Sequence, residues 1–403
     1  MRTLLAASLI VLVFTLGAQA QILENHFSLD SITAADVNPA HFKPEPKWGF
    51  ALGMGGELKA NSWNLPLMRE YGNRDLDESD KDVILKATND DFLRVSMMGS
   101  PYVGVTYENY GFKVAGRVFA QGQAPSDFLK LALKGNELDE KFSFADSNFE
   151  AAGYIETSAA VSFPVDDFVR EAAGNIKLSN VRVGANIKHL TGAGFARLEG
   201  KGALLTKSDG QIEADGEARY AHSTSGSGFA VDLGVSAEVT ERLQVDASIL
   251  NLGQITWRDV EHGSAGFTAA FNISDPDSAD FDYTTHDAEV GPNVTWKLPR
   301  TFRVGSAYKW TNEVTALADL SWTKSEAMGL LSRQAVGVEY APWAFLPTQA
   351  VLVKETKQPL RLDLSAGLRF KYFRMNAHLI NALSLVSTQA EGAGFGLSAE
   401  VRF

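Results

Sequence analysis

The stretch 392–403, GAGFGLSAEVRF, sorts its side chains into two rows. Phe395, Leu397, Ala399, Val401 and Phe403 make one row, and Gly394, Gly396, Ser398, Glu400 and Arg402 make the other. Successive side chains of a β-strand point to opposite faces, so this is a strand with one apolar and one polar side. Its apolar face needs a core or lipid to cover it. A final strand that runs onto the aromatic Phe403 is expected where the last strand pairs with the first and leaves no edge. An edge strand of a soluble β-protein is the other reading of this stretch taken alone.

The other end of the chain points to export. Residues 1–20 carry Arg2, then an apolar run from Leu4 to Leu16, then Ala18-Gln19-Ala20. That is the order of a secretory signal, with cleavage expected after Ala20. The run is short for roughly 30 Å of hydrocarbon. No other stretch reads as a transmembrane helix, so a membrane span has to be built from strands. With no Cys there is no disulfide framework, and the sheet itself must supply stability. A net charge of -12 leaves no basic stripe for nucleic acid.

Period-two alternation recurs along the chain and predicts an all-β, transmembrane antiparallel barrel of about fourteen strands. The expected divisions are a signal peptide over 1–20, a lead or plug segment over 21–45 and the barrel over 46–403. Short connections are expected at 109–111, 240–242, 311–313 and 371, and long ones at 55–91, 121–151, 190–225 and 258–295. Short periplasmic turns alternating with long external loops are the pattern of outer-membrane barrels. Within the long connections, 78–89 reads as a helix that Ser79 can cap, and 127–133 as a second helix. A short connector over 166–173 also reads as helical. A ribbon is expected to continue through Leu205, turn at Ser208-Asp209-Gly210 and return through Tyr220. The acidic stretch 258–293 reads as a loop.

The polar faces carry cations at Lys113, Arg117, Arg182, Lys188, Arg303, Lys309, Arg361, Arg369, Arg374 and Arg402. They carry anions at Glu156, Glu238, Glu339, Glu400, Asp232, Asp246, Asp319 and Asp363. An Arg or Lys facing lipid at the midplane costs roughly 2–4 kcal/mol, so these charges are expected in the lumen. They can either brace a hydrated barrel or line a selective conduit. Val83, Ile84, Leu85, Phe128, Leu129, Leu131 and Leu133 of the two helices form an external apolar patch. It can receive a hydrophobic ligand or a partner, or close on itself as a cap. The acidic clusters near 75–82 and 275–282 lack the spacing of a calcium loop, and the scattered His show no paired metal-ligand spacing. No nucleophile elbow, phosphate loop or recognisable carboxylate pair occurs, so no catalytic residue, metal or cofactor is assigned.

The NPA motif (Asn38, Pro39, Ala40) ahead of the first strand and the stretch LPRTFRVGSAY at 298–308 resemble the long-chain fatty-acid transporter superfamily, the FadL-like outer-membrane barrels. The run Asp232-Leu233-Gly234 and the helical insertions are similar to an uncharacterised Bacteroidetes-type family of such barrels. The ending at Phe403 resembles the C-terminal assembly signal of these proteins. The resemblance implies a fourteen-strand barrel in the outer membrane of a Gram-negative bacterium, plugged from its N-terminus. Its implied partners are outer-membrane lipid and the barrel assembly machinery. It does not imply fatty acids, but with the plug-length lead and the apolar external helices it leads to the expectation of a barrel that admits or binds small hydrophobic or amphipathic molecules. A closed scaffold that binds a partner protein is the alternative.

Overall fold

Alternation produces strands through most of the described residues, which in this computed structural model are 33–42, 48–61, 65–87, 91–166, 178–272, 274–325, 329–356, 358–387 and 390–403. In chain order the first strands are β1 (Trp48–Ala60), β2 (Phe92–Gly99), β3 (Tyr102–Tyr107), β4 (Tyr110–Pro125), β5 (Lys141–Ser143), β6 (Ser147–Pro164) and β7 (Ser179–Thr206). Then come β8 (Gln211–Ser223), β9 (Ser225–Thr240), β10 (Leu243–Arg258), β11 (Glu261–Asn272), β12 (Asp275–Val290), β13 (Val294–Lys297) and β14 (Arg300–Lys309). The last are β15 (Val314–Ser325), β16 (Gly329–Tyr340), β17 (Thr348–Glu355), β18 (Arg361–Arg369), β19 (Phe373–Ile380) and β20 (Ala393–Arg402).

β1 pairs antiparallel with β20, from Gly49 against Arg402 to Leu58 against Ala393, and this closes the sheet into a barrel. Two passes are divided. β2 and β3 share one, broken at Ser100-Pro101, and β13 and β14 share another, broken at Leu298-Pro299. Proline has no N–H for the ladder, which is why the pairing breaks there. With each divided pass counted once, and β5, β8, β11 and β12 left outside the ring, the barrel has fourteen strands.

The outward row is apolar and exposed: Phe50, Leu52, Val103, Phe112, Ile155, Ile187, Leu233, Val336 and Leu364. The inward row is small or polar and buried, with Ala51, Lys113, Glu156, Asn186, Asp232 and Asp363. This inverts a soluble sandwich and suits a hydrocarbon surround. At the end that carries the short turns, Trp48, Tyr107, Tyr110, Phe163, Tyr308, Trp310, Tyr340 and Tyr372 form an exposed aromatic girdle. Amphipathic rings collect at the level of lipid headgroups.

At the opposite end, β7 runs on past its partner β9 and pairs with β8, β8 with β11, and β11 with β12. The expected ribbon is therefore the root of a larger protruding sheet. Its outer half was expected as a loop, and that expectation is corrected: Glu261–Asn272 and Asp275–Val290 are two long strands paired antiparallel. Small and polar residues, Ala, Asp, Thr, Ser and Gly, make up most of these strands and hide their alternation in the sequence. Three short helices complete the external side: α1 (Leu65–Tyr71), α2 (Glu78–Ala87) and α3 (Asp127–Lys134). Asp77, not Ser79, caps α2. The Asp80 N–H donates to the Asp77 carboxylate at 2.9 Å, the Asp77 N–H donates back to Asp80 at 3.1 Å, and the Ser79 hydroxyl only supports Asp77. The hydroxyl of Ser79 lowers the Asp77 pKa. The expected signal peptide, most of the helical connector at 166–173 and residues 88–89 of the first expected helix lie outside the described residues.

Candidate functional site

The lumen is filled from the short-turn end by residues 33–42. Two 3-10 turns, Thr33–Asp36 and Pro39–His41, make the segment compact enough to lie inside the ring. Asn38 joins them. Its side-chain oxygen accepts from the Ala40 N–H at 2.9 Å, and its amide reaches the carbonyls of Val235 and Ala247 at 3.1 and 3.2 Å and Asp246 at 3.3 Å. Pro39 at the first position of the second turn fixes the bend. The wall is shaped to receive it. Gly184 of β7 and Gly234 of β9 are register partners. A Cβ on Gly184 would sit 2.2 Å from the Pro39 carbonyl carbon, and one on Gly234 would sit 1.9 Å from the Asn38 oxygen. The hydroxyl of Ser248 donates to the Val37 carbonyl at 2.7 Å, His41 lies 3.5 Å from Asp246, and Phe42 packs with Ala51, Tyr102 and Ala115.

Above the bend a buried ion network ties the segment to four strands. Asp36 pairs with Lys113 and with Arg117, the latter at 3.0 Å. Arg117 also holds Glu156 at 3.0 Å, and Lys113 lies 3.4 Å from the same carboxylate. Lys188 pairs with Asp232 at 2.7 Å, and Asn186 donates to Asp232 at 3.0 Å. Buried charges survive when paired and hydrogen-bonded, and every member here meets that condition.

A third layer lies toward the long-loop end. Phe195, Trp257, Trp296 and Leu298 are buried inside the ring with Leu190 and Ile255, and Phe119 and Tyr154 pack against them. The Phe195 and Trp257 rings stack with centroids 5.5 Å apart. These residues turn inward because three strands slip their alternation by one. Ala193 is skipped in the β6–β7 register, β10 carries an extra residue near Asn251, and β13 breaks from β14 at Pro299. Asn251 takes a left-handed φ of 58°. A bulge re-aims every side chain beyond it. The Asn251 N–H donates to Asp232 at 2.7 Å and its side-chain oxygen accepts from Lys188 at 2.8 Å, which ties the aromatic layer to the ions. Gly192 and Gly226, paired across β7 and β9, leave room for the Trp257 indole.

Most of the remaining lumen charges line the opposite wall, while Arg182 and Glu238 lie on β7 and β9 nearer the short turns. Arg361 reaches Glu57 and Glu355 at 3.0 Å and Asp363 at 3.2 Å, Arg303 pairs with Asp319, and Arg402 holds Glu400 at 2.8 Å. Arg182 donates to the Ser162 hydroxyl and carbonyl, and Glu238 accepts from Asn180. Glu339, Arg369 and Arg374 are half-buried. Lys309 departs from the expectation: it ends β14 and is exposed beyond the ring. Sequence reasoning missed Asp36, Glu57, Glu355 and the inward aromatics. The signals for the last were Gly192-Ala193-Gly194, Asn251 and Pro299, each a breaker inside an alternating run.

Outside, Ile84 is wholly buried with Leu67 and Tyr71, and Leu129 and Leu133 pack against them. The two helices of the expected apolar patch close on each other, leaving Val83 and Phe128 exposed and Leu85 and Leu131 half-exposed. Lys134 donates to Asp82, which lowers the Asp82 pKa and raises that of Lys134. Both are solvent-accessible, so the pair adds little stability.

Solved structures similar to this chain include the toluene transporter TodX of Pseudomonas putida, at 10% identity over 92% of this chain and 94% of that one, with a TM-score of 0.48. The CymD monoaromatic hydrocarbon channel is similar at 12% identity over 94% of each chain, with a TM-score of 0.47. A FadL homologue of Pseudomonas aeruginosa is similar at 14% identity over 97% and 98%, with a TM-score of 0.28. No curated protein matches the chain. Residues 49–399, which span all but the outermost residues of the barrel, match the family of unknown function DUF5723, and the chain belongs to that family.

Proposed function

We propose that this protein is a plugged conduit in the outer membrane of a Gram-negative bacterium, and that it admits small hydrophobic or amphipathic molecules once residues 33–42 leave the lumen. One observation carries the reading. The Asn38-Pro39-Ala40 bend is held by side-chain contacts against paired glycines, not by strand pairing, so it can withdraw without breaking the barrel's ladder. Beyond the charged zone the Trp257–Trp296 layer is apolar and tightly packed, so in this reading those rings also part to let a solute pass. Outer-membrane lipid covers the outward face in this reading, and Phe403 presents the nascent chain to the assembly machinery. The test is uptake of labelled hydrophobic compounds by cells with and without the protein; equal uptake across a broad panel contradicts it.

A second reading, a scaffold for a partner protein, is favoured by β12. Among the described residues this sixteen-residue strand pairs only with β11, and it exposes Phe281 and Tyr283. Recovery of a stoichiometric partner from solubilised membranes, lost when 261–290 is deleted, supports this reading over transport.

A further inference from the structure

We propose that the open edge of β12 receives an extended, cationic segment of another protein, which adds to the external sheet as one more strand. The inference rests on the scaffold reading and gives the partner's backbone form and charge. The external sheet runs β5, β7, β8, β11 and β12, and among the described residues β12 pairs on one side only. Alternate residues of an antiparallel strand point their backbone groups to opposite sides, so every second residue of β12 turns its N–H and C=O away from β11. Such a row is a template for a further strand. Exposed edges are usually blunted by short strands, Lys, Pro or bulges. β12 is sixteen residues long and has no Lys; its Pro276 is the second residue. The register slips only between Ala270 and Asn272 and between His262 and Ser264 of β11. Between those slips the ladder is unbroken, from Ala270 against Asp280 to Ser264 against His286. The stretch DFDYTTH is as long as an ordinary strand.

The alternation of this stretch defines what fits beside it. Phe281, Tyr283 and Thr285 share one face, and Asp280, Asp282 and His286 share the other. Phe281 and Tyr283 are 64% and 59% exposed, and the Phe281 ring stacks on Phe267 of β11 with centroids 6.2 Å apart. An added strand therefore sets apolar side chains beside a preformed aromatic row. On the other face Asp280 and Asp282 are exposed and hold no ion pair or hydrogen bond among the described residues. β12 as a whole carries six carboxylates and neither Lys nor Arg. Opposite charges facing each other across a strand pair stabilise it, and like charges oppose it. The strand that fits thus has Lys or Arg at every second position and apolar residues between. The same charge disfavours a second copy of this edge, because two β12 strands would bring two sets of six carboxylates to one seam with no cation between them.

The test is fluorescence anisotropy of a labelled short peptide of alternating Lys and Val, added to the full-length protein in nonionic detergent micelles, with the signal of empty micelles subtracted. Saturable binding of one peptide per protein is expected. Two control peptides separate strand addition from charge. One is the same peptide N-methylated at every peptide nitrogen, which keeps the cations and loses every backbone donor. The other has Glu in place of each Lys. Each should bind at least tenfold more weakly. The double variant Asp280→Lys, Asp282→Lys should shift the ratio of Lys-Val to Glu-Val affinity at least tenfold toward the Glu-Val peptide, while heat-modifiable migration on gels stays that of the folded barrel. Three outcomes overturn the proposal: no saturable binding of the Lys-Val peptide, equal binding of its N-methylated form, or an unchanged affinity ratio in the double variant. A stoichiometric partner recovered through 261–290 alongside a Lys-Val peptide that does not bind would overturn this inference and leave the scaffold reading standing.

Discussion

Gly184 and Gly234 face each other across β7 and β9, and both press their bare α-carbons against the Asn38-Pro39 bend. Neither has a left-handed backbone to accommodate, so close approach is the reason for glycine at both positions. The barrel wall and the segment inside it are thus fitted at one spot. Replacement of Gly234 by Leu should push the bend out of its seat and leave the sheet intact, because a strand tolerates the side chain. Single-channel recording should show a larger conductance than that of the parent, with normal heat-modifiable migration. A folded variant of unchanged conductance would place the constriction elsewhere.

Asn38→Ala removes the acceptor for the Ala40 N–H and the donors to Val235, Ala247 and Asp246. Leaving such buried groups unpaired costs roughly 1–3 kcal/mol, which is enough to populate an undocked segment. The chain has no Cys, so Thr33→Cys provides a single thiol at a buried position. Its maleimide labelling should accelerate by between about fivefold and a hundredfold when Asn38→Ala is added. Equal rates would mean that Asn38 does not hold the segment.

Much of this arrangement was legible in the sequence. Arg361, Asp363 and Ser365 alternate with Leu362, Leu364 and Leu368, and the structure puts the first set inside and leaves Leu364 and Leu368 exposed outside. The NPA bend was legible because Pro39 cannot sit in a strand ladder. What alternation could not show is where it slips. A single extra residue near Asn251 turns Trp257 from lipid to lumen, and period-two reading has no way to register that without the partner strand. The β11–β12 hairpin escaped for a different reason. Both its faces meet solvent over most of their length, so nothing selects an apolar row. The pairing of Asp36 with Lys113 joins residues far apart in the chain, and only the closed ring brings them together.

The ion network should carry stability as well as position. Lys188→Ala leaves Asp232 buried without its cation and takes one partner from Asn251. Breaking one side of a buried pair costs about 3–5 kcal/mol. Urea unfolding in lipid vesicles, followed by tryptophan emission, should show a loss of unfolding free energy of that size, whereas Lys309→Ala, at the exposed end of β14, should show almost none.

On the outer face, Leu364 is 37% exposed and its neighbour Asp363 is 1% exposed. Leu364→Arg should therefore lose roughly 2–4 kcal/mol of insertion energy and impair assembly. Asp363→Asn keeps an acceptor for the Asn381 N–H and should still fold. The reverse outcome on heat-modifiability gels would mean that β18 is read one residue out of register.

The central claim is that residues 33–42 close the barrel and can leave it. Deletion of residues 21–43 removes the segment and keeps every strand. Single-channel conductance in planar bilayers, compared before and after the deletion, tests this most directly. A stable barrel with clearly larger conductance is the predicted result; a folded barrel that conducts no better than the full-length protein would contradict the account.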